Sequence, residues 1–282
     1  MNSKFWYLIL LFTAIAVSIN AQKTSEEAEI TAFEKELEQM NWQNEGTGDL
    51  DGITTIAIPA GYSFIQKKDT RRLMELFGNI PTEIENGLIC PEDLSWFVVF
   101  EFSKEGYVKD DEKDSLDADA ILKDLQAGNA AGNKRRQEMG LETLTLVGWA
   151  VPPNYNQATN NLEWAIRLQG EDGGSTVNYF TKLLGRRGIM NATLVCDPNA
   201  LESILPDYQQ LLTNYSYTSG NTYAEFKEGD KIAVSLDADD QVVLRPVRSV
   251  AEMTYGAVEP RQRPEDLDAL RRQFEEEGGT AS

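Results

Sequence analysis

The chain has 282 residues, no histidine and two cysteines, and its 26 basic residues face 46 acidic ones for a formal net charge of −20. Without histidine, Ser-His-Asp and Cys-His catalytic sets and histidine-ligated zinc are excluded. The charge balance repels nucleic acid and anionic lipid headgroups, while a hydrophobic content of 41% suffices for a sizeable core.

The N-terminus carries Lys4, then an apolar run from Phe5 to Val17, then Ser18-Ile19-Asn20-Ala21 before Gln22. A charged start, a short apolar stretch and a small residue at its end predict a cleavable signal peptide over residues 1–21. A run of about 13 apolar residues falls short of the ~20 that cross a bilayer. An uncleaved anchor is the alternative, and it would make this segment the only membrane contact. No cysteine follows the run to carry a lipid, and nothing after residue 21 is apolar enough to span a membrane, so the mature part is expected to be soluble.

Thr24-Ser25-Glu26-Glu27 has capping-box form, and Ile30, Phe33, Leu37 and Met40 follow at helical spacing, predicting an amphipathic helix over 25–41 within an N-terminal unit of residues 22–44. Its stripe must dock on the body or on a partner's helix. Asn44 to Gly52 reads as a Gly/Asp-rich linker. An α+β body over residues 45–227 follows. Ile53–Ile58 and Tyr62–Ile65 predict a hairpin around Pro59-Ala60-Gly61, then a helix near Asp69–Phe77 stopped by Gly78. Trp96–Phe102 is apolar on both faces and predicts a central strand covered on both sides. Gly106-Tyr107-Val108 is expected to return alongside it, before a helix from Asp117 to Met139 with Ala118, Ile121, Leu122 and Leu125 inward.

Leu144–Val151, Asn161–Leu168, Thr176–Leu184 and Ile189–Cys196 predict an antiparallel meander. Asp197-Pro198 predicts a helix start, with a break at Pro206 before Leu212, and Tyr215–Phe226 one or two more strands. A C-terminal hairpin extension is expected over 228–258, turning at Asp237–Asp240, then a short helix from Pro264 and a disordered tail over 259–282. The order of elements predicts an α+β fold, a mostly antiparallel sheet with ββα units and packed helices.

Three segments carry candidate chemistry. Asp110 and Asp111 lie in an acidic run that offers oxygen ligands, but the run lacks the EF-hand spacing, and a solvated loop leading to a capped helix is the simpler reading. Trp149, Tyr155 and Asn156 flank Pro152-Pro153 and are candidates for a binding surface, set against plain packing of the sheet. Arg186 and Arg187, between Gly185 and Gly188, are candidates for holding an anion, or two arginines in a hairpin turn. Glu163 alternates with core residues on a strand. Cys90 and Cys196 either pair as a disulfide or stand as buried thiols. Neither a metal nor a cofactor is expected.

Trp96–Phe102, Gly106–Asp111, Gly148–Tyr155, Leu162–Ala165, Val177-Asn178-Tyr179 and Leu184–Gly188 together resemble a bacterial family of predicted membrane-anchored proteins known only as a domain of unknown function, over about residues 30–230. The resemblance implies an exported body anchored by a hydrophobic C-terminal segment, and assigns no catalytic residue. Here no apolar segment follows Gly229-Asp230-Lys231. Instead, residues 227–247 resemble half of the swapped-hairpin fold of antitoxin and transition-state-regulator DNA-binding proteins. The basic half is missing and the chain is acidic, so no nucleic acid partner is expected.

The leading expectation is an exported cell-envelope module, without catalysis, that engages an envelope protein partner. The alternative is a histidine-independent enzyme whose cleft converges Asp110, Asp111, Glu163 and Arg186.

Overall fold

The computed structural model describes residues 31–108, 117–156, 159, 161–235 and 245–246. Residues 31–38 are helical (α1). There follow β1 (Thr47–Leu50), β2 (Thr54–Ala57), β3 (Tyr62–Gln66), α2 (Lys67–Leu76), β4 (Glu85–Pro91), β5 (Phe97–Ser103) and α3 (Ala118–Glu138). Then come β6 (Leu144–Asn156), β7 (Asn161–Gly170), β8 (Ser175–Leu184), β9 (Ile189–Cys196), α4 (Leu201–Leu212) and β10 (Tyr215–Tyr217). Val234–Ser235 (β11) and Arg245–Pro246 (β12) pair antiparallel.

The fold is α+β. Seven strands form one sheet in the order β3-β4-β5-β9-β8-β7-β6, antiparallel at every step, beside a three-stranded sheet β1-β2-β10. Both faces of the large sheet are covered. On one, Phe64, Ile89, Phe100, Ala192 and Leu194 meet the small sheet's Leu50 and Ile56 and Ile204, Tyr208 and Leu211 of α4. On the other, Leu88, Cys90 and Val99 meet Leu37 of α1 and Leu73 and Met74 of α2. Further along that face, Leu162, Trp164 and Ile166 meet Ile121 and Leu125 of α3.

β5 sits between β4 and β9, and its alternate residues are buried on both sides, as the two-sided apolar pattern of Trp96–Phe102 demands. The α2 helix ends as a Schellman motif: Gly78 adopts φ 71°, its N–H donates to the Glu75 carbonyl, and Asn79 N–H reaches back to Met74 O. Asp117 caps α3 by accepting from the amides of Asp119 and Ala120.

Edge strand β6 is finished by a helix. Asn133 of α3 accepts from Leu144 N–H at 3.0 Å and donates to Leu144 O at 2.9 Å, while Asn129 accepts from Leu146 N–H at 3.1 Å. One helical turn apart, the two amides supply the partners that a further strand would.

Several expectations are corrected. The predicted linker over 44–52 contains β1, because Leu50 is an apolar anchor with no exposure at all. The predicted hairpin of 53–65 is split, β2 pairing with β1 and β10 in the small sheet and β3 with β4 in the large one. Tyr107 does not return along β5. It bridges Ile232 in parallel, accepting from Ala233 N–H and donating to Lys231 O. β6 runs on through Pro152 and Pro153, tolerated because an edge strand has amides to spare. Asp197-Pro198 makes a turn, with Asn199 N–H donating to the Asp197 carboxylate, and α4 starts at Leu201 and passes Pro206 without a break. β4 went unread, although it is buried almost throughout. The signal peptide, the Asp237–Asp240 turn, the helix from Pro264 and the tail lie outside the described residues. No helix among the described residues is long and apolar enough to cross a membrane.

Asn133→Leu is expected to cost about 1–3 kcal/mol, since it strands both backbone groups of Leu144. Urea denaturation reads the loss, and faster amide exchange at Leu144 and Leu146 locates it; unchanged exchange at both would refute the edge assignment.

Candidate functional site

Residues directly opposite in an antiparallel ladder share a face. Register therefore places Glu85 of β4 opposite Glu101 of β5, Glu101 opposite Asn191 of β9, and Asn191 opposite Lys182 of β8. In the next row, Val99 faces Thr193, Thr193 faces Phe180, and Phe180 faces Trp164. This polar strip lies on the helix-covered face, with the apolar cluster under α1 and α2 on one side and the cluster under α3 on the other.

Burial here is deep. Lys182 is 4% exposed, Glu85 4%, Thr193 6% and Asn191 7%, with Glu101 partly buried. Glu85 is satisfied: Arg71 of α2 donates to it at 3.2 Å, and so does Thr82 N–H. The others keep capacity unused. Lys182 Nζ lies 5.5 Å from the Trp164 ring centroid and, among the described residues, has no hydrogen bond or ion pair. Asn191 Nδ2 donates to the Glu101 carbonyl at 3.2 Å and to Ser103 Oγ at 3.3 Å. Asn191 Oδ1, Thr193 Oγ1 and Trp164 Nε1 have no partner among the described residues.

Electrostatics follow from the burial. Desolvation, aided by the Glu85 carboxylate and opposed by Lys182, pushes Glu101 up to about 7. Desolvation, opposed by Glu101 and Glu105, pulls Lys182 down to about 8. Both groups therefore change charge near neutral pH. Among the described residues no three cysteine or carboxylate side chains converge as metal ligands would.

The family described as Protein of unknown function (DUF2167) matches residues 43–236. The chain belongs to this family. No curated protein sequence matches it. Among solved structures it is similar to the solution structure of cyanobacterial PsbP (CyanoP) from Synechocystis sp. PCC 6803, at 8% identity and a TM-score of 0.36, over 64% of this chain and 92% of that one. Every residue of the strip falls within the DUF2167 span.

In this DUF2167 chain the residues predicted from sequence are scattered. Asp110 and Asp111 lie outside the described residues. Glu163 is on the opposite face of the sheet, where Tyr179 OH donates to it at 2.9 Å and burial raises its pKa. Arg186 does not form an open anion cradle, because Asp230 already occupies it through two hydrogen bonds of 2.6 and 2.7 Å, holding that carboxyl down at about 2. Arg187 is exposed. The flanking glycines are there for close packing: a Cβ on Gly185 would sit 2.5 Å from the Tyr217 ring and one on Gly188 2.1 Å from Ser103 O. Trp149 Nε1 donates to Ala118 O at 3.3 Å, tying β6 to the start of α3, and Tyr155 and Asn156 stand half-buried at the strand's end. The strip escaped the sequence reading. Its signal was Glu101, a charge inside a run otherwise apolar on both faces.

Cys90 and Cys196 are free thiols, not a disulfide, since Cys90 packs under α2 and Cys196 on the α4 face. Burial pushes the two thiols up to about 12 and about 11. Neither is expected to react with a thiol reagent at pH 8 until the chain unfolds, when both react; a native chain that titrates a thiol would refute their burial.

Lys182 has a depressed folded-state pKa, so whatever stability its deprotonated form allows is lost as pH falls through about 8. Lys182→Met is therefore expected to stabilise the fold below pH 8, by about 1–3 kcal/mol at pH 7, with the gain vanishing at high pH. Urea titrations from pH 6 to 10 measure it, and a variant weaker than the parent at pH 7 would overturn the sign.

Proposed function

We propose that this chain is an exported envelope protein whose α+β body binds a small polar ligand in the strip between α2 and α3, through Lys182, Glu101, Asn191 and Thr193. The observation that carries the reading is unused hydrogen-bonding capacity deep in a two-sided core. An unsatisfied buried polar atom costs about 1–3 kcal/mol, and three such atoms gather on one face beside a lysine and a carboxyl that lack direct partners among the described residues. Apolar residues would give a more stable sheet, so a strip of this kind points to binding. Export rests on the pattern of Lys4, the run Phe5–Val17 and Ala21. The acidic body fits a soluble envelope protein and gives no support to a nucleic-acid partner. A protein partner, the broader form of the same role, would present its polar group to this strip.

A catalytic reading is supported by the shared burial of Glu101 and Lys182 in one row of the sheet, which brings both to change charge near neutral pH.

The mature chain, isotopically labelled, is to be titrated with a panel of amino acids, sugars, dicarboxylates and phosphates. Shifts centred on the amides of Lys182, Asn191 and Thr193 are expected; shifts confined to the α4 face would sink the assignment. Intact mass of the envelope fraction is expected to show loss of residues 1–21, and full-length mass in the cytosol would refute export.

A further inference from the structure

We infer that the strip is built for a small zwitterion of the amino-acid type, its cation held by Glu101 and the Asn191 amide oxygen and its anion by Lys182 and the Thr193 hydroxyl. The inference rests on the binding role proposed above and names the ligand class.

The argument is one of donors and acceptors sorted by strand. The Glu101 backbone carbonyl can only accept, so Asn191 must turn its NH₂ toward it, which fixes the amide and leaves Oδ1 as a pure acceptor. On β5, the Glu101 carboxylate is also an acceptor without a direct partner among the described residues. The β5 and β9 side of the strip therefore asks for a donor. On β8 and β7 the order reverses. Lys182 Nζ and Trp164 Nε1 can only donate, and neither has a hydrogen-bond acceptor among the described residues. Thr193, on β9 in the row of Trp164, serves either sense.

Charge balance narrows the class. Glu85 is bound to Arg71, which leaves Glu101 and Lys182 as one negative and one positive group. Exposed Glu105 at the margin acts on Lys182 from outside. A dicarboxylate would set an anion against Glu101, a diamine would set a cation against Lys182, and a neutral sugar would leave both charges unmatched in a desolvated site. A dipolar ligand of zero net charge satisfies both ends. β5 and β8 flank β9, so their backbones are roughly 10 Å apart, and the length of the zwitterion that bridges Glu101 and Lys182 is what the test below reads.

The test uses the mature chain with glycine, β-alanine and 4-aminobutyrate, which lengthen the gap between the two charges stepwise, and with acetate, methylammonium, glucose and phosphate as controls. Affinity is read from amide shifts at Lys182, Asn191 and Thr193. One zwitterion is expected to bind at least about tenfold tighter than acetate or methylammonium. Lys182→Met should reduce that affinity to the level of methylammonium, and Glu101→Gln to that of acetate. Because Lys182→Met is expected to be the more stable protein at pH 7, its loss of binding cannot be put down to unfolding. Zwitterions no tighter than the single-charge fragments would overturn the inference. Glucose or phosphate binding at the same amides would overturn it and leave a binding strip in place. No shift at these amides from any probe would remove the binding role itself, leaving ordered water to fill the strip.

Discussion

Coverage of the large sheet on both faces is the constraint from which the rest of the molecule follows. An antiparallel sheet commonly keeps one face wet and sets its polar side chains there. This one has α4 and a small sheet on one side and three helices on the other, so its central strands have no wet face. Under that condition a polar side chain in or packed on its strands needs an internal partner. Tyr208 finds one in Thr181, at 2.7 Å, and Asn86 in Phe102 N–H, at 2.8 Å. The strip on the other face is where this rule is left incomplete.

What was legible in the sequence was whatever local pattern alone could decide. The two-sided apolar run of Trp96–Phe102 located the heart of the sheet, and the turn-separated runs from Leu144 to Cys196 located the meander with its neighbours in order. Asp117 and Gly78 marked helix ends through side-chain and backbone chemistry confined to a few residues. Pairings set by distant chain were not legible. β2 sits next to Tyr215–Tyr217, across most of the chain's length, and nothing in Thr54–Ala57 announces that choice over pairing with β3. β1 was hidden by Gly and Asp in its surroundings, although Gly48 is small because the Phe64 ring lies 2.8 Å from where its Cβ would be.

The candidate site was hidden for a related reason. Glu85, Glu101, Lys182 and Asn191 are spread over four strands, and only register brings them into one row. Apart from Glu101, a lone charge in a run apolar on both faces, each resembles an ordinary solvent-facing residue on a strand. The denser sequence motifs, the arginine pair and the tryptophan–proline segment, are joinery. Arg186 fastens the turn between β8 and β9 to the segment around Asp230, and Trp149 fastens β6 to α3. Dense, ordered motifs can reflect close packing as readily as chemistry, and the two glycines around the arginines illustrate it.

The two asparagines of α3 have a further consequence. By imitating a strand, they turn a helix into the selvedge of the sheet, closing a weave that would otherwise offer loose threads to a neighbouring molecule. The same helix packs over Trp164, the ring beneath Lys182. Prising α3 away to admit a visitor would thus unravel the border of the cloth at the same stroke. A route to the polar strip that leaves α3 in place would leave this border sewn.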